Sequence, residues 1–319
     1  MTITDILVQI YNRILPIIIL LFIGKRLNQG AFLSPETIAE IKKLVVNLAL
    51  PAVLFTSFLT MTIEPAYFWF VPLLLIIEGG MFLIGTFLHQ RLSIQGEYFP
   101  FLITGFEYGM IGVSLFAAAY GFGQLGKIAI IDFGQELFVW FIYIALLARK
   151  REGSTNLKSL LKMFATSPVI LAILSGITLN LSGIAQILVS APLFEGVLNA
   201  ITLVGSLTVP LILIVVGYGI QIDRTEIQYP LRAILIRLGI LIPAALIINR
   251  TIIRGWLGLD SGFEAAFFTL MILPPPFILT LFMDQKLTDE RRRIDNTLML
   301  HTIASIAVFI VYYAFHPTI

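Results

Sequence analysis

Four carboxylates and a run of three prolines carry the chemistry this chain could perform. Glu107 lies between Gly105 and Gly109 in the run TGFEYGMIGVSLFAAAYG, Asp132 and Glu136 flank Gln135 in the next apolar run, and Glu78 precedes Gly79 and Gly80. An ionised carboxylate at the bilayer centre costs roughly 3 kcal/mol or more. It must face a partner or a wet cavity, or carry a proton. Glu107 therefore reads as a proton-coupling group, or as a protonated acid donating a hydrogen bond between helices. Asp132 and Glu136 are one helical turn apart, on one face and about 6 Å apart along the axis. That pair suggests a cation or proton path, and Asp132 reads equally as a hydrated group near the outer interface. Arg237 is a buried positive charge able to pair with Glu78, Asp132 or Glu136.

The prolines Pro274, Pro275 and Pro276 interrupt FFTLMILPPPFILTLFM. Each lacks an N–H and clashes with the carbonyl four residues back. The carbonyls of Leu270, Met271 and Ile272 then need a cation, a substrate donor or water. Gly105, Gly109 and Gly112 read either as close helix packing or as a second interruption. Helix breakers at bilayer depth are tolerated where the freed backbone is buried in protein or lines a cavity. Paired interruptions in two halves of a chain point to a transporter's binding site. Breaks are expected near 109–112 and 274–276, crossing close to the midplane. The candidate substrate-binding residues are Glu107, Tyr108, Gly109, Gly112, Ser114, Pro274, Pro275, Pro276 and Asn47. Asn47 stands in NLALP, one turn before Pro51. Its amide contacts substrate, satisfies backbone freed by the proline, or bridges helices. The candidate coupling residues, for H+ or Na+, are Glu107, Glu136, Asp132 and Gln135.

The elements that must position these groups are long apolar helices. The chain is 58% hydrophobic and 13% charged, against roughly 25% charged in soluble domains, and its mean hydropathy is +0.95. Ten apolar stretches, near 5–27, 39–61, 67–88, 99–120, 127–148, 165–183, 197–220, 231–252, 264–283 and 297–315, approach the roughly 20 residues a span needs. The glycines fall in stretch 4 and the prolines in stretch 9. The expected class is an all-α membrane protein of ten spans. Asp5 ahead of the first stretch and Lys25 and Arg26 after it make that stretch a retained span rather than a cleaved signal. Trp69, Tyr312 and Tyr313, near span ends, read as interface anchors. Of the 21 Lys and Arg, 16 flank the odd-numbered loops and 4 lie on the other side, with Arg237 inside stretch 8. The positive-inside rule places both termini outside the cytoplasm, in a plasma (inner) membrane.

Cysteine is absent, and His89, His301 and His316 give no metal-ligand spacing. There is no Walker loop, HExxH, GxSxG or facing Ser/His/Asp set. The reading is therefore no enzyme, no cofactor, no metal and no nucleic acid. The partners expected are a small-molecule substrate, a coupling ion and lipid.

Arg149, Lys150 and Arg151, followed by Glu152, Gly153 and Ser154, mark the midpoint between halves 1–150 and 151–319. Residues 156–166 read as an amphipathic surface helix or as an extension of stretch 6. The halves look related. Pro16 and Gly24 match Pro168 and Gly176, Pro51 matches Pro210, and stretches 4 and 9 both carry breakers, at offsets of 152, 159 and about 165. Five spans per half is odd, so the second half enters the membrane in the opposite sense, as an inverted repeat.

GKRL followed by SPETIAEIKKLVVNLALPAVLF, over 24–55, resembles the opening of the auxin efflux carrier family, which includes bacterial permeases and the plant PIN-FORMED carriers. That family has an N-x-x-x-P second span, matched by Asn47 and Pro51. VPLILIVVGYGI, around Pro210, Gly217 and Gly219, and the terminal TLMLHTIASIAVFIVYY are similar to its seventh and last spans. The resemblance implies ten helices as two inverted five-helix repeats, with helices 4 and 9 broken and crossing at a central site. It implies elevator-type transport of organic anions, with helices 1, 2, 6 and 7 as scaffold and face of a homodimer. The family's fourth-span pattern runs Asn, four residues, Gly, one residue, Pro. Aligned on Gly112, Glu107 stands in place of that Asn and Ser114 in place of that Pro. A fixed carboxylate there repels a carboxylate substrate unless it is protonated.

Overall fold

Without water, backbone polar groups must bond within the chain, so uninterrupted apolar runs become helices. The computed structural model describes residues 3–91, 94, 96–152, 157–220, 227–283 and 287–319. Those residues are helical with no strand. Six helices among them are long and apolar enough to cross a membrane: Pro35–Thr60, Pro65–Arg91, Phe122–Arg151, Phe194–Gly219, Gln228–Arg254 and Thr288–Phe315. Their outward faces carry side chains such as Ile76, Leu83, Leu203 and Leu235, each at least 70% exposed. Apolar exposure on that scale suits lipid rather than water. The chain is thus a multi-pass helical membrane protein. Stretch 1 is the helix Ile3–Gln29. Stretches 4 and 9 are the two that are split: Phe99–Leu102 precedes the helical run Tyr108–Tyr120, and Ser261–Ile272 precedes Ile278–Phe282.

Local chemistry sets several boundaries. Ser34 Oγ accepts from the Thr37 N–H at 3.2 Å, with Pro35 at the first helical position. Asp260 Oδ1 caps Ser261–Ile272 through the N–H groups of Gly262 (2.9 Å) and Phe263 (3.2 Å). Lys158–Ala165 meets Pro168–Leu181 at 63°, so it is not a straight extension of stretch 6. Its Phe164 rests on Phe141, ring centroids 5.1 Å apart. Among the described residues four helices contain a wide, π-type turn: Val45–Ala49 ahead of Pro51, Tyr108–Gly112, Val139–Tyr143 and Asn249–Arg254.

The most extensive helix contacts pair stretch 1 with stretch 7 and stretch 6 with stretch 2; stretch 2 also packs on 7, 3 on 5 and 8 on 10. Both leading contacts depend on a glycine. A Cβ at Gly24 would strike the backbone of Ile214 and Tyr218, and one at Gly176 would strike Phe55 and Phe58. Each also ends on an asparagine amide. Asn28 Nδ2 donates to the Tyr218 carbonyl at 2.7 Å. Asn180 Nδ2 faces the carbonyls of Phe58, Leu59 and Met61 at 2.7–3.0 Å, at the end of stretch 2.

Of the expected interface anchors, Trp69 is half exposed and packs on Trp256 at 4.9 Å. Tyr312 and Tyr313 are instead buried. Tyr312 stacks on Phe268 at 3.9 Å, so these rings belong to the packed interior.

Candidate functional site

The break in stretch 4 is made by Gly105. Its φ is +72°, and a Cβ there would lie 2.8 Å from Pro276 Cγ. Only glycine meets both conditions without strain. The chain leaves the helix over 103–107 and resumes in the wide turn Tyr108–Gly112. The interruption therefore lies a turn before the expected 109–112. Gly109 and Gly112 are helical, and Gly112 serves close packing, a Cβ there falling 2.8 Å from Leu273 Cδ1. Gly105→Ala should cost about 2–4 kcal/mol from left-handed strain plus overpacking. Gly109→Ala, whose Cβ would meet Leu50 at an ordinary 3.5 Å, should melt like the parent. Thermal denaturation of the purified pair in detergent checks this.

The break in stretch 9 falls where the prolines require it, over 273–277. Two of the three carbonyls that the prolines free, those of Leu270 and Ile272, are taken by protein groups. Leu270 O accepts from Leu273 N at 3.1 Å, Pro276 O accepts from Leu279 N at 3.1 Å, and Ile272 O accepts from the Ser305 hydroxyl. Because Ser305 spends its proton there, His301 Nδ1 is the donor in its 3.1 Å contact with Ser305 Oγ.

The two breaks bond to each other through Glu107. Its backbone N–H donates to Pro274 O at 2.7 Å, and its carboxylate accepts from Phe277 N at 2.7 Å and more weakly from Met110 N at 3.4 Å. The carboxylate thus sits where two helical segments begin, Tyr108–Tyr120 and Ile278–Phe282, a position that favours negative charge. On the other side Arg237, fully buried, donates from one Nη to the carbonyls of both Gly105 and Leu273, the latter at 3.1 Å. Its guanidinium lies 4.8 Å from the centroid of the Phe106 ring. It makes no ion pair with Glu78, Asp132 or Glu136. Both Glu78 oxygens are buried without a hydrogen-bond partner.

A cavity of about 510 Å³ reaches this junction. Glu107, Tyr108, Gly109, Gln135, Glu136 and Pro276 line it, with Lys42, Trp140, Phe277 and Asp295. Gln135 Nε2 donates to Phe106 O at 2.7 Å, a carbonyl freed by the first break, and Glu136 accepts from Trp140 Nε1 at 2.8 Å. Three of the wide turns contribute to the wall, through Val46, through Tyr108, Gly109 and Met110, and through Val139 and Trp140.

Other expected site residues lie outside the lining. Asp132 is only 1% exposed and its Oδ1 has no partner, so it is not a hydrated group at the interface. It shares a helix face with Glu136 but stands one turn beyond the cavity. Ser114 is buried and donates to Met110 O at 2.8 Å. Gly112, Pro274 and Pro275 shape the junction from behind. The Asn47 side chain is exposed and donates to Lys43 O of its own helix at 2.9 Å. That carbonyl is not the one Pro51 frees, and the amide neither bridges helices nor faces the cavity.

Arg237, Ser305, Asn28 and Asn180 are structural anchors whose partners residue types alone did not reveal. Asn28 and Asn180 are separated by 152, the offset already found between Gly24 and Gly176, and that repetition was a readable signal.

In comparisons with known proteins, no family model matches the chain, nor does any curated protein.

Proposed function

We propose that this protein is a secondary transporter that moves a small metabolite by alternating access. The observation carrying the proposal is the junction of two broken helices, hydrogen-bonded to each other at the inner end of a cavity. Broken helices meeting in mid-membrane are a recurrent transporter device.

We further read the fold as two inverted five-helix repeats, as the resemblance to auxin efflux carriers implies. Exchanging stretch 1 with 6, 2 with 7, 3 with 8 and 5 with 10 turns the 1–7 contact into 6–2 and the 3–5 contact into 8–10. Gly24 and Asn28 exchange with Gly176 and Asn180 in the same operation. In this reading stretches 1, 2, 6 and 7 form the scaffold, with their outward faces available to a homodimer. The remaining stretches carry the site. Proton coupling is assigned to Glu107, which joins the two breaks, with Glu136 beside it in the cavity.

The charge bias places both termini outside the cytoplasm. The cavity mouth, marked by Lys42, Ser167 and Asp295 at helix ends beside odd-numbered loops, then faces the cytoplasm. Cysteines introduced at Ser154, which lies outside the described residues, and at Thr318 should label from opposite sides of the membrane. Labelling of both from one side would overturn this topology. Solute counterflow in proteoliposomes tests transport itself. Saturable uptake accelerated by preloaded substrate marks a carrier, whereas unitary currents would mark a channel.

A further inference from the structure

The charged groups of the cavity are mostly acceptors, and the hydroxyl of the lining Tyr108, buried without a partner, can donate or accept. The charged lining consists of the carboxylates of Glu107, Glu136 and Asp295 and the single ammonium of Lys42. Charge alone would say little, but Gln135 adds an independent constraint. This side chain is 2% exposed, and its Nε2 is committed to the Phe106 carbonyl at 2.7 Å. That bond fixes the amide orientation. Oε1 is left as a buried acceptor with no partner in a residue that lines the cavity.

The neighbouring Glu136 is in a similar state. One oxygen accepts from Trp140 Nε1 at 2.8 Å, and its other oxygen has no donor among the described residues. Glu107 differs, because both of its oxygens face backbone N–H groups. The open acceptors are therefore concentrated on Gln135 and Glu136. The rings of Phe106, Tyr108, Trp140 and Phe277 surround them, and Val139 and Leu298 add apolar wall. Arg237, the fully buried cation, is outside the lining and committed to backbone carbonyls. An anion entering here would meet three carboxylates and, among the lining side chains, one cation, the exposed Lys42.

We propose that the cavity binds an organic ammonium with an apolar or aromatic body, its N–H groups on Gln135 Oε1 and the open oxygen of Glu136. The proposal rests on the carrier reading above and names the substrate class for that site. The rings supply cation–π attraction and cover the apolar body.

The test uses the full chain, purified in detergent, with matched ligands. Phenethylammonium, benzylammonium and butylammonium are compared with 3-phenylpropanoate, phenylacetate and neutral phenethyl alcohol. The ammonium series should raise the melting temperature saturably, and the acids and the alcohol should not. Glu136→Gln retains an acceptor for Trp140 and should remain folded, with phenethylammonium bound roughly tenfold to a hundredfold more weakly. Asp295→Asn, at the mouth, should weaken binding only a few-fold, and Glu40→Gln, in an exposed pair with Lys43, should not change it. Stabilisation by the acids, by neither series, or undiminished ammonium binding by Glu136→Gln would overturn the assignment. Counterflow separates this inference from the carrier reading. An acid that drives counterflow leaves the carrier and removes the ammonium site. An ammonium that binds through Glu136 without counterflow leaves the site and removes the carrier.

Discussion

Replacing Arg237 with methionine should remove a large part of the protein's stability. The guanidinium bonds one carbonyl from each broken helix, Gly105 O and Leu273 O, inside a fully buried junction. Hydrogen bonds to charged groups contribute about 1.5–3 kcal/mol each, and a buried acceptor left unpaired carries its own desolvation cost. Methionine keeps the stem packing and avoids burying a charge. It also removes Nε and Nη1, which have no protein partner now. The net loss should be about 3–5 kcal/mol, against the roughly 5–15 kcal/mol that separates folded from unfolded states. The expected result is a protein that reaches the membrane but aggregates or melts early after extraction. Arg237→Lys should be intermediate, because an ammonium keeps a charged donor but its shorter stem sets the nitrogen back from the position of the Nη that serves both carbonyls. Melting of the three proteins in one detergent, with monodispersity by gel filtration, is the measurement. Parent-like melting of the methionine variant would show that the two breaks are held by other means.

Glu107→Gln should leave a folded protein that has lost its response to pH. The carboxylate now accepts from Phe277 N and Met110 N, one to each oxygen. An amide offers one oxygen, and its NH2 must then face an N–H donor. The bond at 2.7 Å to Phe277 survives in weakened form, and the contact to Met110 becomes repulsive. Relief from burying a charge offsets part of that loss, so stability should change by no more than about 2 kcal/mol. Function should change more. In the proposed cycle a proton on Glu107 withdraws an acceptor from one half-helix start and loosens the junction, and its departure locks the breaks together. The neutral amide is fixed near the loosened state. Coupled transport should fall roughly tenfold to a hundredfold and become flat across pH, while exchange at fixed pH continues. Lys42, Tyr108, Glu136 and Asp295 share the cavity with Glu107, so each needs a parallel neutralising variant to assign the profile. Reduced affinity at every pH would instead make Glu107 the direct substrate ligand. An unchanged profile with unchanged affinity would remove it from the mechanism.

That stretches 4 and 9 would break was legible because helix breakers have local consequences. Three successive prolines cannot continue a helix in any surroundings, and the break at 273–277 follows from them. The glycines were less decisive. Gly105, Gly109 and Gly112 look alike in sequence, and only the approach of Pro276 singles out Gly105 for the left-handed turn. The groups that satisfy the freed carbonyls were not legible. Arg237 bonds a carbonyl 132 residues away and Ser305 one 33 residues away, pairings that exist only once the helices have packed. Asn47 misled for the opposite reason. Its position before Pro51 suggested a role beyond its own helix, yet its amide bonds the Lys43 carbonyl four residues back on the same helix.

The three wide turns around the cavity hold one residue more than an α-helical turn would. Each is a piece of slack placed in the wall of the site. Because successive α-helical residues are about 100° apart around the axis, moving that extra residue along the helix would swing the side chains it passes by about that angle and leave those beyond in register. A substrate pressing on Val46, Tyr108 or Trp140 would therefore meet a wall that can turn its face in discrete clicks, with the rest of each helix still packed where it was.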